Sequence, residues 1–419
     1  MKNLRLMIAA ACLCALGLLS TAAPAADAPP AGPKETKEIV LWHAYRAEEK
    51  AAMEKVIAQY NAANASKGIK VTTLAVPYDA YADKITATVS RGTGPDIFIF
   101  AQDRLGGWVE GGNVIEPIDF YLDDALTKRF IPSSLEAMKY RGSTYGLPLD
   151  YKVITLIYNK KLVPTPPKTS GEMVAIARKL TNKKTGTFGL AYSYADFYFH
   201  APVMNGFGGG VFGPGPVPTM NSPENVKSVE LVLKWADAKT GFLPAEPSSA
   251  LVTALFNEGK AGMVFSGPWF LGEIAKGIDY GLAPLPTLDE AGGKPMRPWM
   301  TVEGVYVSAA SKNKEAAFDV VKFLTSTEAG KVLAVEGRQS TTNLSVYSDP
   351  KVSGDAQLKA FRDQVETAIP MPNMPEMSMV WSPATSAMSS VFKKTSTPKA
   401  ALDVAQKAVA KDVAGLRKK

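Results

Sequence analysis

A chain of 419 residues exceeds the size at which one hydrophobic core keeps growing, so two domains are expected. Its 46% hydrophobic and 21% charged residues are those of a globular protein, and 47 basic against 40 acidic residues give a net charge of +7. That charge is spread along the chain with no basic stripe carrying interleaved aromatics, which argues against nucleic acid as a partner.

Residues 1–25 read as a secretory signal peptide. Lys2 and Arg5 precede an apolar run from Leu6 to Leu19, and Ala23 and Ala25 supply an A-x-A cleavage site. The run is too short to span a bilayer comfortably, so a soluble mature protein in the periplasm is expected. Both cysteines, Cys12 and Cys14, fall inside the signal, which leaves the mature chain without thiol or disulfide chemistry. Acylation at Cys12 as a lipoprotein is disfavoured, because Ala9 stands where a lipobox prefers Leu. Residues 26–37 form a Pro- and Ala-rich leader.

The body then alternates. Glu38 to Trp42 reads as a strand, Glu48 to Asn61 as a helix with Met53, Val56, Ile57 and Tyr60 at helical spacing, and Gly68 to Val76 as a second strand. A helix over Asp79 to Ser90, a strand over Asp96 to Phe100 and a helical segment from Leu105 follow. Such alternation predicts an α/β fold with a mixed, mostly parallel sheet flanked by helices. Ligands of such sheets bind beyond the carboxyl ends of the strands, which directs attention to His43–Arg46, Pro77–Tyr81 and Ala101–Arg104.

From Leu149 to Leu156 the residues alternate as one strand, with Asp150 and Lys152 on one face and Tyr151 on the other. A Pro-rich loop and a helix over Gly171 to Leu180 come next, then a strand at Thr187 to Tyr192. Asp196 to Met220 is rich in aromatics and glycines and reads as a core segment with a loose loop. Further helices are expected over Pro223–Asp237, Ala250–Asn257, Lys314–Leu324, Thr327–Val335 and Pro398–Leu416, and strands over Gly259–Ser266, Tyr280–Leu285 and Trp299–Ser308.

Four motifs stand in order along this frame: PDIFIFAQDRLGGW from Pro95, LIYNK with PPKT from Leu156, GPW at Gly267–Trp269, and MPNMPEMSMVW from Met371. Together they resemble the sugar-binding solute-binding proteins of bacterial ABC importers, most closely the maltose and maltodextrin branch. The resemblance implies a two-lobed periplasmic-binding-protein fold with the ligand between the lobes. It places lobe 1 at residues 38–150 and 304–350, and lobe 2 at 151–303 and 351–419. It also implies an oligosaccharide ligand, ABC permease subunits as partners, a monomer, no cofactor or metal, and no chemistry performed on the ligand. A chemoreceptor is a further family partner that the sequence does not address.

Residue by residue, the resemblance places Phe100, Tyr198, Trp269 and Trp381 as stacking rings, and Asp103, Arg104 and Asp196 as polar contacts. Trp299 and Glu303 border the site at the second crossing between lobes. Read from the residues alone, Asp103 is equally a helix cap and Trp269 a core indole. The chain departs from the maltose receptors at two places. Lys152 stands where they carry a carboxylate, so Asp150 is expected to supply the missing acceptor or Lys152 to meet an acidic ligand. Tyr45 and Arg46 stand where they carry an Asp-Lys pair.

Arg46, Arg104 and Lys152 therefore keep open an alternative, the same receptor tuned to another sugar or to an anion such as glycerol 3-phosphate or its diesters. Each could equally be paired with an acid such as Glu48 or Asp150. A glycosidase needs a positioned carboxylate pair, which sequence leaves open. The chain has only His43 and His200 as histidines, and neither a metal-ligand cluster nor a P-loop; Gly208–Gly210 lacks the lysine a P-loop requires.

Overall fold

The computed structural model describes residues 36–417 apart from Glu246. The expected signal peptide, both cysteines and residues 26–35 of the leader lie outside the described residues.

Two sheets organise the described chain. The larger has the strand order Ser340–Thr341, Gly146–Lys152, Trp299–Val307, Ile97–Ala101, Lys37–His43 and Ile69–Ala75, with Ile369–Pro370 added alongside Trp299 and Met300. The smaller runs Tyr280–Ala283, Thr155–Asn159, Ala261–Ser266 and Phe188–Ala191. The early strand-helix-strand run pairs in parallel, as its connections require. Strands that carry the chain between the sheets run antiparallel to their neighbours, apart from the short parallel pairing of Trp299 and Met300 with Ile369–Pro370, so both sheets are mixed, with less parallel pairing than expected.

The alternating stretch from Leu149 to Leu156 is not one strand. It belongs to the larger sheet up to Lys152 and to the smaller from Thr155, with Val153 and Ile154 buried between them. Alternation continues across the break because the link is as buried as the strands, which is why the pattern alone could not reveal it. The chain returns through Trp299–Val307, every residue of which is buried.

Helices cover both faces of each sheet. Ala47–Ala63, Lys314–Leu324 and Thr327–Gly337 close one face of the larger sheet over Ile39, Leu41, Ile97 and Val305. Ser170–Leu180 and Pro223–Trp235 close one face of the smaller. A third, continuous core joins the two sheets through Phe98, Trp108, Phe197 and Trp299. Ser170–Leu180 starts where the Pro-Pro-Lys-Thr loop predicts, because Thr169 accepts from the Glu172 backbone at 3.2 Å while the Glu172 carboxylate accepts from Lys168 N at 2.7 Å.

Among the described residues, three helices of ten or more residues escaped the sequence reading, Phe197–Gly206, Ala356–Val365 and Trp381–Phe392, as did the short Asp124–Thr127, Pro132–Glu136 and Pro350–Ser353. The first carries Pro202 and is buried along most of its length, so it shows neither a clean polar face nor the expected helix interior.

Candidate functional site

Four segments, distant in sequence, meet where the strands leave the two sheets. The turn after Ile97–Ala101 is clamped by Gln102, which accepts from Val302 N at 2.8 Å and donates to Met371 O at 3.1 Å. Gly106 donates to Asn373 O at 2.9 Å, and a side chain there would collide with the Asn373–Pro375 backbone. The Asp-Arg turn and the Met-Pro-Asn segment are thereby locked together. The consequence is a direct pairing: Trp381 Nε1 donates to Asp103 Oδ2 at 3.0 Å.

Asp103 is 4% exposed and caps no helix, which removes the bland reading of this residue. Burial pushes its pKa up to about 6, against the lowering influence of Arg104 and the Trp381 donor. Arg104 Nε lies 3.3 Å from Oδ2, while Oδ1 is buried without a hydrogen-bond partner. A buried carboxylate oxygen with a free acceptor site is suited to a ligand hydroxyl.

Beyond Trp381 the rings form a wall. Trp299 lies 5.7 Å from Trp381 and 6.2 Å from Tyr198, and Tyr198 lies 6.2 Å from Trp269, centroid to centroid. Tyr198, Trp269 and Trp381 are half-buried, whereas Trp299 is 3% exposed and backs the others. The Gly-Pro-Trp turn explains its own glycine. The indole of Trp269 folds back over Gly267, where a Cβ would strike the ring. The Tyr198 hydroxyl lies 3.1 Å from Thr301 Oγ1, and burial pushes the phenol up to about 12.

The opposite wall carries a ring outside the predicted set. Tyr78 is 56% exposed and stacks on Phe100 at 5.4 Å and 10°. Burial holds its phenol well above the usual range, and Asp103, Glu303 and Tyr198 add to the effect, so this open ring faces the same cleft as those groups. Phe100, only 4% exposed, lies behind it. The strand-end rule pointed at Pro77–Tyr81, but the choice of Tyr78 within it had no sequence signal. Asp196 is solvent-accessible and caps the Phe197–Gly206 helix by accepting from Tyr198 N at 2.9 Å; burial in the cleft raises its pKa and Asp79 adds to the effect.

At the floor, strand register puts Asp150 opposite Glu303 and Lys152 opposite Thr301, all on the cleft face. Lys152 Nζ lies 2.5 Å from Glu49, 3.4 Å from Glu303 and 3.9 Å from Asp150. The Tyr45 hydroxyl donates to Glu303 at 2.9 Å and lies 3.4 Å from Asp150. Burial pulls the lysine pKa down, but the three carboxylates outweigh it and hold it well above the usual range. Burial raises Asp150 and Glu303, against the pull of Lys152.

The basic residues considered for an anionic ligand each lie beside a carboxylate, although Arg104 Nε makes no hydrogen bond. Lys152 is ringed by carboxylates, Arg46 pairs with Glu273 at 2.9 Å rather than with Glu48, and Arg104 lies beside Asp103. Glu49 and Glu273 were not foreseen as partners. Among the described residues no group of three or more His, Cys, Asp or Glu is arranged to hold a metal ion.

The family described as bacterial extracellular solute-binding protein matches residues 43–331. The chain belongs to that family. This solute-binding protein is 30% identical over 362 residues to the maltotriose-binding protein of Pyrococcus abyssi, covering 85% of this chain and 78% of the relative. It is also 30% identical over 417 residues to the galactooligosaccharide-binding protein of Bacillus subtilis, covering 94% of each. Its structure is similar to the maltose/maltodextrin-binding domain from Bdellovibrio bacteriovorus bound to maltotriose, with a TM-score of 0.83, 26% identity and coverage of 90% and 100% of the two chains. The two-lobed fold expected from the motifs is therefore the fold of this solute-binding protein.

Proposed function

We propose that this protein captures maltodextrin-type oligosaccharides between its lobes and presents them to an ABC permease. The carrying observation is the ring wall Trp269–Tyr198–Trp299–Trp381 ending on Asp103, whose Oδ1 has no protein partner. Stacked rings cover the apolar faces of pyranoses, and a carboxylate beside a guanidinium suits their vicinal hydroxyls. Closure rotates residues 38–150 with 304–350 against 151–303 with 351–419. The chain passes between the sheets at Val153–Ile154 and returns at Trp299, a few residues from those limits, so Tyr151, Lys152 and Trp299–Glu303 remain strands of the larger sheet. Ligand shifts the equilibrium to the closed form by binding it better. The sugar leaves unchanged, and the signal peptide directs export to the periplasm and is then cleaved.

The galactooligosaccharide-binding relative, matched over 94% of the chain, favours a second reading in which galactooligosaccharides occupy the same cleft. Calorimetric titration with maltotriose, a galactotriose and glycerol 3-phosphate separates these. Maltotriose binding, with intact trisaccharide recovered afterwards, is the expected result. Selective galactotriose binding assigns the cleft to the second reading, and selective binding of the phosphate ester overturns both.

A further inference from the structure

The crossing strands have two faces, and the second one also borders a space. Asp150, Lys152, Thr301 and Glu303 point to the cleft, so the alternation of each strand turns Tyr151 and Met300 the other way. Behind them lies a cavity of about 340 Å³. That volume is within the range of small-molecule pockets.

Its walls come from both halves of the fold. Ile131 and Leu344 belong to segments tied to the larger sheet, since Ile131 N donates to Thr342 O and Thr342 N to Leu149 O. Arg362 and Val365 lie on the helix Ala356–Val365, which is anchored to the smaller-sheet side. There Gln364 accepts from Leu285 N at 2.7 Å and Gln357 donates to the Tyr280 hydroxyl at 2.7 Å.

The lining is mainly apolar, and its mouth carries Leu344, 48% exposed. The polar groups are nearly all satisfied. Tyr347 donates to Thr341 O at 2.9 Å, its hydroxyl lies 3.5 Å from that of Tyr151, and Ser134 donates to Ile131 O at 2.7 Å. Arg362, exposed at the rim, is the one charged group of the lining. Its guanidinium stands 5.3 Å from the centre of the Tyr347 ring, and among the described residues no carboxylate forms an ion pair with it; neighbouring Asp363 is taken by Lys359. An apolar chamber with one uncompensated guanidinium at its edge is complementary to an apolar body ending in a planar anion.

We propose that this cavity is a second binding site, for a small monocarboxylate with an apolar tail or ring. Its position also sets a consequence that rests on the proposed lobe closure. A rotation that narrows the cleft in front of the crossing strands alters the spacing of the walls behind them. Carboxylate and sugar then change each other's affinity by the same factor.

Calorimetric titration of octanoate into the mature chain without sugar tests the site, with 1-octanol as the neutral control. One saturable octanoate site is expected, absent for 1-octanol. Arg362→Gln should weaken it about tenfold, the scale of one charge-assisted hydrogen bond. Val365→Trp should abolish it by filling the chamber, and the cleft variant Trp269→Ala should retain it. No saturable binding, equal binding of 1-octanol, indifference to Arg362→Gln or loss in Trp269→Ala each overturns the proposal. Because these arms need no sugar, they stand even where maltotriose fails to bind. A maltotriose affinity unchanged by saturating octanoate overturns the coupling alone.

Discussion

Trp381 and Asp103, 278 positions apart, are joined by a 3.0 Å hydrogen bond from the indole Nε1 to a carboxylate oxygen that is almost wholly buried. The bond does two things at once. It sets the plane of a half-exposed ring, and it occupies Oδ2 so that Oδ1 is the oxygen left to accept from a ligand.

Replacing Trp381 by Phe keeps a ring but deletes the donor. A hydrogen bond to a charged group contributes about 1.5–3 kcal/mol, so maltotriose affinity should fall roughly tenfold to a hundredfold. Trp381→Ala should cost more, because ring area is lost as well. Titration calorimetry of both variants checks this, and equal affinities for Phe and Trp would show that the bond does not orient the ring.

The resemblance carried by the four motifs named the rings and Asp103, while local patterns gave only the frame on which they stand. The strand-helix-strand run up to Leu105 fixed where strand ends lie, and period-two alternation put Asp150 and Lys152 on one face. What stayed hidden was set by contacts between distant residues. Glu49 meets Lys152 from 103 positions away, and neither residue's neighbourhood marks the pairing. Tyr78 covers Phe100 only because the helix Tyr78–Val89 packs beside the strand Ile97–Ala101, so the resemblance named the ring behind instead of the ring in front. The break at Val153–Ile154 escaped because burial on both sides keeps the alternation running through it.

The cleft floor should be the most sensitive point for stability. Lys152→Met leaves Glu49, Asp150 and Glu303 together in a buried setting without their cation. Removing one partner of a buried ion pair costs about 3–5 kcal/mol, and that loss should appear in urea unfolding monitored by tryptophan fluorescence. A loss below about 1 kcal/mol would mean that water relaxes into the cluster freely.

Arg46 and Glu273 bridge the segment after the first strand and the turn that presents Trp269. The arginine side chain is 56% exposed, so the pair should add less than about 1 kcal/mol to global stability. Its effect belongs to ligand release, because it ties the two walls at the cleft edge. Arg46→Gln should raise the maltotriose dissociation rate several-fold while leaving the unfolding midpoint nearly unchanged, and added salt should narrow the difference from the parent. Stopped-flow fluorescence measures the rate, and a dissociation rate equal to the parent's would exclude the latch.

Protonation of Asp103 gives the cleft a pH dependence with a definite sign. Burial raises this carboxyl from 3.8 to about 6, so the folded protein holds the proton more tightly than the unfolded chain. Its contribution to folding stability is therefore fully present below about pH 3.8 and is lost as pH rises through about 6. Sugar binding runs the other way. Hydroxyls donate to the ionised carboxylate, so maltotriose should favour the deprotonated form and bind progressively more weakly as pH falls through about 6. Titrations between pH 5 and 7.5 should show protons released on binding near the lower end, with affinity rising to a plateau. Asp103→Asn, whose amide does not titrate, should bind more weakly at pH 7.5 and show a flatter profile across the range. The same slope in both proteins would place the titrating group elsewhere, with Asp196 the next candidate, since burial and Asp79 raise its pKa too.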